Sequence, residues 1–240
     1  MKRVDCKRVD CHHRQKKATK EKKAFDNSKN GFNFDPWQCA EHLNKEEFDS
    51  ISQSKFASII DKCIAHEGEY ANDPEDRGGE TKFGITKIFM EEYKEALPGR
   101  EIIPIKELTI EDAKRLYKAM WERYNLGYIK NKNLAYVLFD YMINTYAGTV
   151  AKRVQRILNT RGASLKIDGH IGEKSIEAIE NCDPQWLADE ILKNRQQSYR
   201  NIVETSPAQG KFYSGWINRL NRIAKEAGSS LRFSPHSATA

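Results

Sequence analysis

The 240-residue sequence predicts a mostly α-helical protein. Three observations carry that expectation. Apolar residues recur at helical spacing in six separate segments, helix-start signals precede two of them, and alternating strand patterns are almost absent. Aromatic residues make up 10% of the chain, enough to fill a real core.

Residues 1–23 are of low complexity and open, after Met1, on a tandem KRVDC-KRVDC. They hold ten Lys/Arg against three acids, so of the total net charge of +6 the other 217 residues contribute 30 basic and 31 acidic groups. Such a basic arm serves either as a contact for nucleic acid or an anionic surface, or as a solvated tail. Its composition reads as a solvated, disordered extension through residue 53, and no nucleic-acid partner is expected. Residues 24–52 mix turn formers with Phe32, Phe34 and Trp37 and show no helical period.

The first helix is expected from about Ser54, where Phe56, Ile59, Ile60, Cys63 and Ile64 share one face. Asn72-Asp73-Pro74 and Gly78-Gly79 then impose a turn-rich loop. Thr109 and Asp112 form a near capping box ahead of the stripe Ala113, Leu116, Tyr117, Met120, Trp121 and Tyr124. Further stripes follow at Leu134, Val137, Leu138 and Tyr141, and at Val150, Val154, Ile157 and Leu158. Asp183-Pro184 supplies an N-cap with proline in the first turn, and a last helix carries Phe212, Trp216, Ile217, Leu220 and Ile223. The one short strand candidate is 161–167.

Five cysteines, odd in number and scattered, are expected as free thiols. Cys6 and Cys11 beside His12 and His13 raise the question of zinc, but no second ligand pair follows at finger spacing, and the tandem repeat itself accounts for the two cysteines. No metal and no organic cofactor are expected. No apolar run is long enough to span a membrane, and the charged start lacks the apolar stretch of a cleavable export signal. Synthesis in the cytoplasm without such a signal is the expectation.

The chemistry concentrates in 66–86. Glu67 stands eleven residues after Phe56 and so continues the apolar face of the first helix. A carboxyl placed there is partly desolvated, which raises its pKa and suits it to act as a general acid. Glu69, Asp73, Glu75, Asp76 and Glu80 follow on the loop. One carboxyl at a helix end with others on an adjoining loop is an arrangement used in glycoside hydrolysis. The bland reading is a surface turn with Glu67 as a solvated helix-end group, or a weak calcium loop without EF-hand spacing. Residue types alone leave both open.

The run Glu67-Gly-x-Tyr70-x-Asn72-Asp73-Pro74-x-Asp76-x-Gly78-Gly79-x-Thr81-x-x-Gly84-Ile85-Thr86 resembles the signature of glycoside hydrolase family 108, muramidases once called secretion activator proteins. Glu69 stands where that family usually has a second Gly, and Arg77 where it usually has Pro; neither departure removes a carboxyl. The resemblance implies a lysozyme-like helical catalytic lobe. In the phage branch of that superfamily a Glu is followed by an Asp nine residues on and a Thr five or six beyond, matched here by Glu67, Asp76 and Thr81. It thereby implies Glu67 as proton donor, Asp76 steadying the oxocarbenium-like charge or orienting water, and Thr81 holding that water, with Asp73 competing for the role of Asp76.

Farther on, Gln155-Arg-Ile-Leu-Asn159 and Leu165-Lys-Ile-Asp168-Gly169-His-Ile-Gly172 through Ser175 resemble a predicted peptidoglycan-binding domain, here a helical region. Residues 149–228 carry 13 basic and 9 acidic groups, a charge suited to an anionic wall. The implied division is an extension over 1–53, a catalytic domain over 54–148, a peptidoglycan-binding domain over 149–228 and a tail over 229–240.

These resemblances imply a peptidoglycan muramidase that hydrolyses the β-1,4 bond between N-acetylmuramic acid and N-acetylglucosamine. Tyr70, Asn72, Asp73, Tyr141 and Asn144 are candidate contacts to glycan strands, with core packing the competing role for the last two. Two alternatives stay in view: a lytic transglycosylase, and a non-catalytic wall-binding or secretion-accessory protein. A monomer is expected, delivered to the wall by a holin, a secretion system or lysis, in the manner of an endolysin or a secretion-linked bacteriolytic enzyme.

Overall fold

The computed structural model describes residues 45–65, 70–72 and 79–234, with only the backbone of Arg100. Within these residues the protein is mostly α-helical, as expected. Helix α1 runs Lys45–Ile64 and buries Phe56, Ile59, Ile60, Cys63 and Ile64, the face read from the sequence. It begins nine residues before the expected start at Ser54. The added turns lack an apolar stripe and are held by single contacts. Phe48 stacks on Tyr128 at 4.4 Å, Ser52 Oγ accepts from Trp121 Nε1 at 3.3 Å, and Lys55 Nζ donates to the carbonyls of Gly127 and Ile129 at 3.0 and 2.6 Å. Burial pushes the Lys55 amine below its usual value, partly offset by Glu180.

Strands β1 (Thr81–Lys82) and β2 (Ile85–Thr86) pair antiparallel, Thr81 with Thr86 and Lys82 with Ile85. Phe83 and Gly84 turn the chain at φ 52° and 77°, the two positive values that a two-residue primed turn requires. Helix α2 (Lys87–Tyr93) starts at once, capped by Thr86 Oγ1, which accepts from Phe89 N at 3.1 Å.

Helix α3 (Ile110–Arg123) has the full capping box, with Thr109 and Asp112 exchanging side-chain-to-backbone bonds. Helix α4 (Lys132–Asn144) buries ten consecutive residues, Leu134–Ile143, and is therefore packed all round rather than on one stripe. Helices α5 (Ala147–Asn159), α6 (Glu173–Glu180), α7 (Pro184–Thr205) and α8 (Gly210–Glu226) follow. Asp183 Oδ1 caps α7 through Trp186 N at 2.6 Å, with Pro184 in the first turn. Helix α4 contacts α1 as well as α5, α7 and α8, so one apolar cluster runs from Phe56 to Phe233.

The strand candidate 161–167 is irregular chain. Gly162 and Ser164 take positive φ, which breaks any pleat, and the Asn159 side chain takes the place of a partner strand, bonding Leu165 N at 2.6 Å and Leu165 O at 2.8 Å. The Asp168-Gly169 turn is held by Gln155, which is 1% exposed. Its Nε2 donates to Asp168 Oδ1 and His170 O, both at 2.8 Å, and its Oε1 accepts from Gly169 N at 3.1 Å. Gly169 is at φ 88°, and a Cβ there would meet Gly148 O at 3.0 Å.

At the centre of the helical half, Asp140 on α4 accepts from Arg195 Nη1 on α7 at 2.5 Å and from Arg219 Nη2 on α8 at 2.7 Å. Arg195 Nε also donates to Tyr199 OH at 2.6 Å. Among the described residues, neither Cys63 nor Cys182 is in a disulfide. Among the described residues, no helix is long and apolar enough to cross a membrane.

Candidate active-site region

Helix α1 delivers the chain to the acidic segment with its apolar face buried to Ile64, and Ala65 N still bonds Asp61 O at 3.1 Å. Glu67, Asp73 and Asp76 lie outside the described residues, as do Cys6, Cys11, His12 and His13. What the structure places is the frame on which the loop is hung. Ala71 and Thr81 form an isolated antiparallel bridge, with Ala71 N to Thr81 O at 2.9 Å and Thr81 N to Ala71 O at 2.8 Å. That bridge holds Ala71 and Thr81, ten residues apart in sequence, side by side.

Tyr70, Asn72 and Thr81 therefore gather at the loop's base. Tyr70 is 48% exposed, and its hydroxyl donates to Glu80 Oε1 at 2.9 Å. That hydrogen bond holds the phenol proton on and raises the Tyr70 pKa, with slight desolvation and the Glu80 charge acting the same way and Asn72 opposing them. Asn72 is exposed and Thr81 half-buried at the start of β1. A hydroxyl, an amide and a carboxylate on an open rim are groups that hydrogen-bond sugar hydroxyls. Glu80 was not singled out for such a role in the sequence, because nothing in its spacing tied it to Tyr70.

The frame is stiff for identifiable reasons. Phe83 sits in left-handed backbone that a side chain other than glycine seldom adopts, and Tyr117 OH donates to its carbonyl at 2.9 Å. Lys82 Nζ donates to Lys106 O at 2.7 Å and lies over the Phe83 ring. From there a chain of ring contacts passes Phe89, Tyr117 and Phe139, at 5.4 and 6.0 Å, into the core against α4.

Tyr141 does not join this group, and the expectation that it contacts glycan is corrected. It is 1% exposed at the meeting of α4, α5 and α7. Its hydroxyl bonds Ser198 Oγ at 3.0 Å and accepts from Arg153 Nη1, so neither ring face is open to a sugar. Its place in an apolar stripe was the signal for core packing. Asn144 is exposed, and its amide donates to Asp140 O of its own helix at 2.9 Å.

Comparison with known families and structures bears out both resemblances. Residues 60–145 match the family model described as glycosyl hydrolase 108, and residues 150–221 match the predicted peptidoglycan domain. Among solved structures, Brucella abortus SagA matches with a TM-score of 0.61 at 21% identity, covering 73% of this chain and 94% of that one. That likeness is one of fold. No curated protein matches the chain. The two regions together support a peptidoglycan-active glycoside hydrolase.

Proposed function

From a glycosyl hydrolase 108 region followed by a predicted peptidoglycan domain, we propose that the chain is a muramidase cleaving the β-1,4 bond between N-acetylmuramic acid and N-acetylglucosamine. The observation that carries the reading is that the first match spans the whole run from Glu67 to Thr86. Glu67 protonates the leaving glycosidic oxygen. Asp76, in competition with Asp73, steadies the positive charge that grows on the sugar or orients the attacking water, and Thr81 holds that water. Tyr70 and Asn72 offer hydrogen bonds, and Tyr70 a partly open ring face, to the strand as it crosses the loop's base. The enzyme acts on the cell wall, and its region 149–228 keeps it there.

The test is Glu67→Gln, which preserves size and polarity but has no proton to deliver. Removal of a positioned general acid costs about 10²–10⁴-fold in rate. Clearing of purified sacculi should fall by that factor while pelleting with sacculi persists. Wild-type clearing by Glu67→Gln would end the assignment of the acid. Mass spectra of the wild-type digest should show reducing muramic ends; 1,6-anhydro ends would instead make the protein a lytic transglycosylase.

A further inference from the structure

Helices α5 and α7 leave a groove of about 330 Å³ between them, at the small end of the range for ligand sites. One wall is Arg153, Arg156 and Ile157 and the other Asn194, Gln197 and Ser198. Arg156 is exposed and Arg153 half-buried, and among the described residues neither is paired with a carboxylate. The facing positions of α7 are all neutral amides or hydroxyls, whereas its acids Asp189, Glu190 and Glu204 lie elsewhere along the helix. A glutamate facing two arginines would be an ordinary way to balance such a groove, and this one has none.

Arg153 is also held in place from below. Its guanidinium lies 5.5 Å over the Tyr141 ring and donates to the Tyr141 hydroxyl, which in turn bonds Ser198 Oγ at 3.0 Å. Tyr141 is thus a positioning residue beneath the groove floor. Two guanidiniums in one cleft, one of them braced, favour a planar anion, because the guanidinium fork matches a carboxylate with two parallel hydrogen bonds.

We propose that this groove binds the stem peptide of peptidoglycan, with Arg153 and Arg156 taking a peptide carboxylate. The proposal rests on the reading of peptidoglycan as the substrate. A stem peptide carries free carboxylates, backbone amides and alanine methyls. The side-chain amides of Asn194 and Gln197 pair with the peptide amides, and Ile157, half-buried in the other wall, meets a methyl. A bare glycan strand fits less well, since a sugar face stacks on an open ring and the ring here lies under the floor.

The test pellets wild type and Arg156→Gln with intact sacculi and with sacculi stripped of stem peptides by an amidase. It also titrates free stem peptide into the wild type while following backbone amide resonances. Wild type should bind stripped glycan about tenfold more weakly than intact sacculi, the size expected for losing one hydrogen-bonded charge contact. Free peptide should shift the resonances of 153–157 and 194–201, and Arg156→Gln, with an unchanged melting temperature, should bind intact sacculi about as weakly as wild type binds stripped ones. Equal wild-type binding to both preparations, or no shifts on titration, overturns the proposal without use of any variant. Digestion of intact sacculi by the wild type separates the two readings: no reducing muramic ends sinks the muramidase, and digestion without peptide-dependent binding sinks only the groove.

Discussion

Asp140 shows what one residue does in this core. It stands among ten consecutive buried positions of α4 and pairs with both Arg195 and Arg219, each from a different helix. Burial pushes its carboxyl up, and the two arginines more than cancel that, so its pKa lies below the usual 3.8. The folded pKa being the lower one, the stabilisation is fully present above the unfolded value. It is lost as pH falls below about 3.8 and through the lowered value. Removing one partner of a buried ion pair costs about 3–5 kcal/mol, here because Arg195, 1% exposed, stays buried without its carboxylate. Asp140→Asn is therefore expected to lose stability of that order in denaturant titrations near neutral pH. The loss should shrink as wild type and variant are compared at pH progressively below 3.8. A constant difference across that range would show that the carboxylate is not the source. An aspartate inside an apolar run was a visible sign of such a pair, but its partners, 55 and 79 residues away, were not.

At the scale of elements, legibility followed the kind of force that forms each one. Helix α3 was readable because its signals are local: a capping box within four residues and an apolar stripe behind it. Thr109→Ala should cost about 1 kcal/mol, the usual loss for an N-cap, seen as a lower unfolding midpoint with an unchanged denaturant slope. An unchanged midpoint would mean that Asp112 caps the helix without Thr109. The early turns of α1 were not readable, since Phe48, Ser52 and Lys55 are held by partners more than sixty residues away. The 161–167 segment misled for the same reason: a strand needs a partner, and here one asparagine side chain supplies both bonds. In the candidate site the carboxyls were readable as residue types at a spacing, while the Ala71–Thr81 bridge and the Tyr70–Glu80 bond that shape the loop's base were not.

For the whole molecule, the decisive fact is that a single apolar cluster joins α1 to the helices that follow. The place where the chain can be shortened is then set by α1 and not by the basic arm. Residues 1–23 carry ten basic and three acidic groups and lie outside both family matches, which begin at residue 60. A chain starting at Lys45 keeps the Phe48–Tyr128 stack, the Trp121–Ser52 bond and the two carbonyl bonds of Lys55. It should unfold at the wild-type temperature and clear sacculi at a similar rate in moderate salt. At very low salt, where charge attraction to the wall is screened less, it should be slower than the full chain. A chain starting at Ser54 loses the stack and the Ser52 bond, and it opens α1 just one residue before Lys55. Its melting temperature should fall by several degrees, since about 1 kcal/mol shifts a domain of 150–250 residues by roughly 2–4 °C. Equal melting of the two shortened chains would show that the first turns of α1 add nothing to the fold. Loss of all clearing by a folded chain starting at Lys45 would instead place residues 1–44 in the catalytic apparatus.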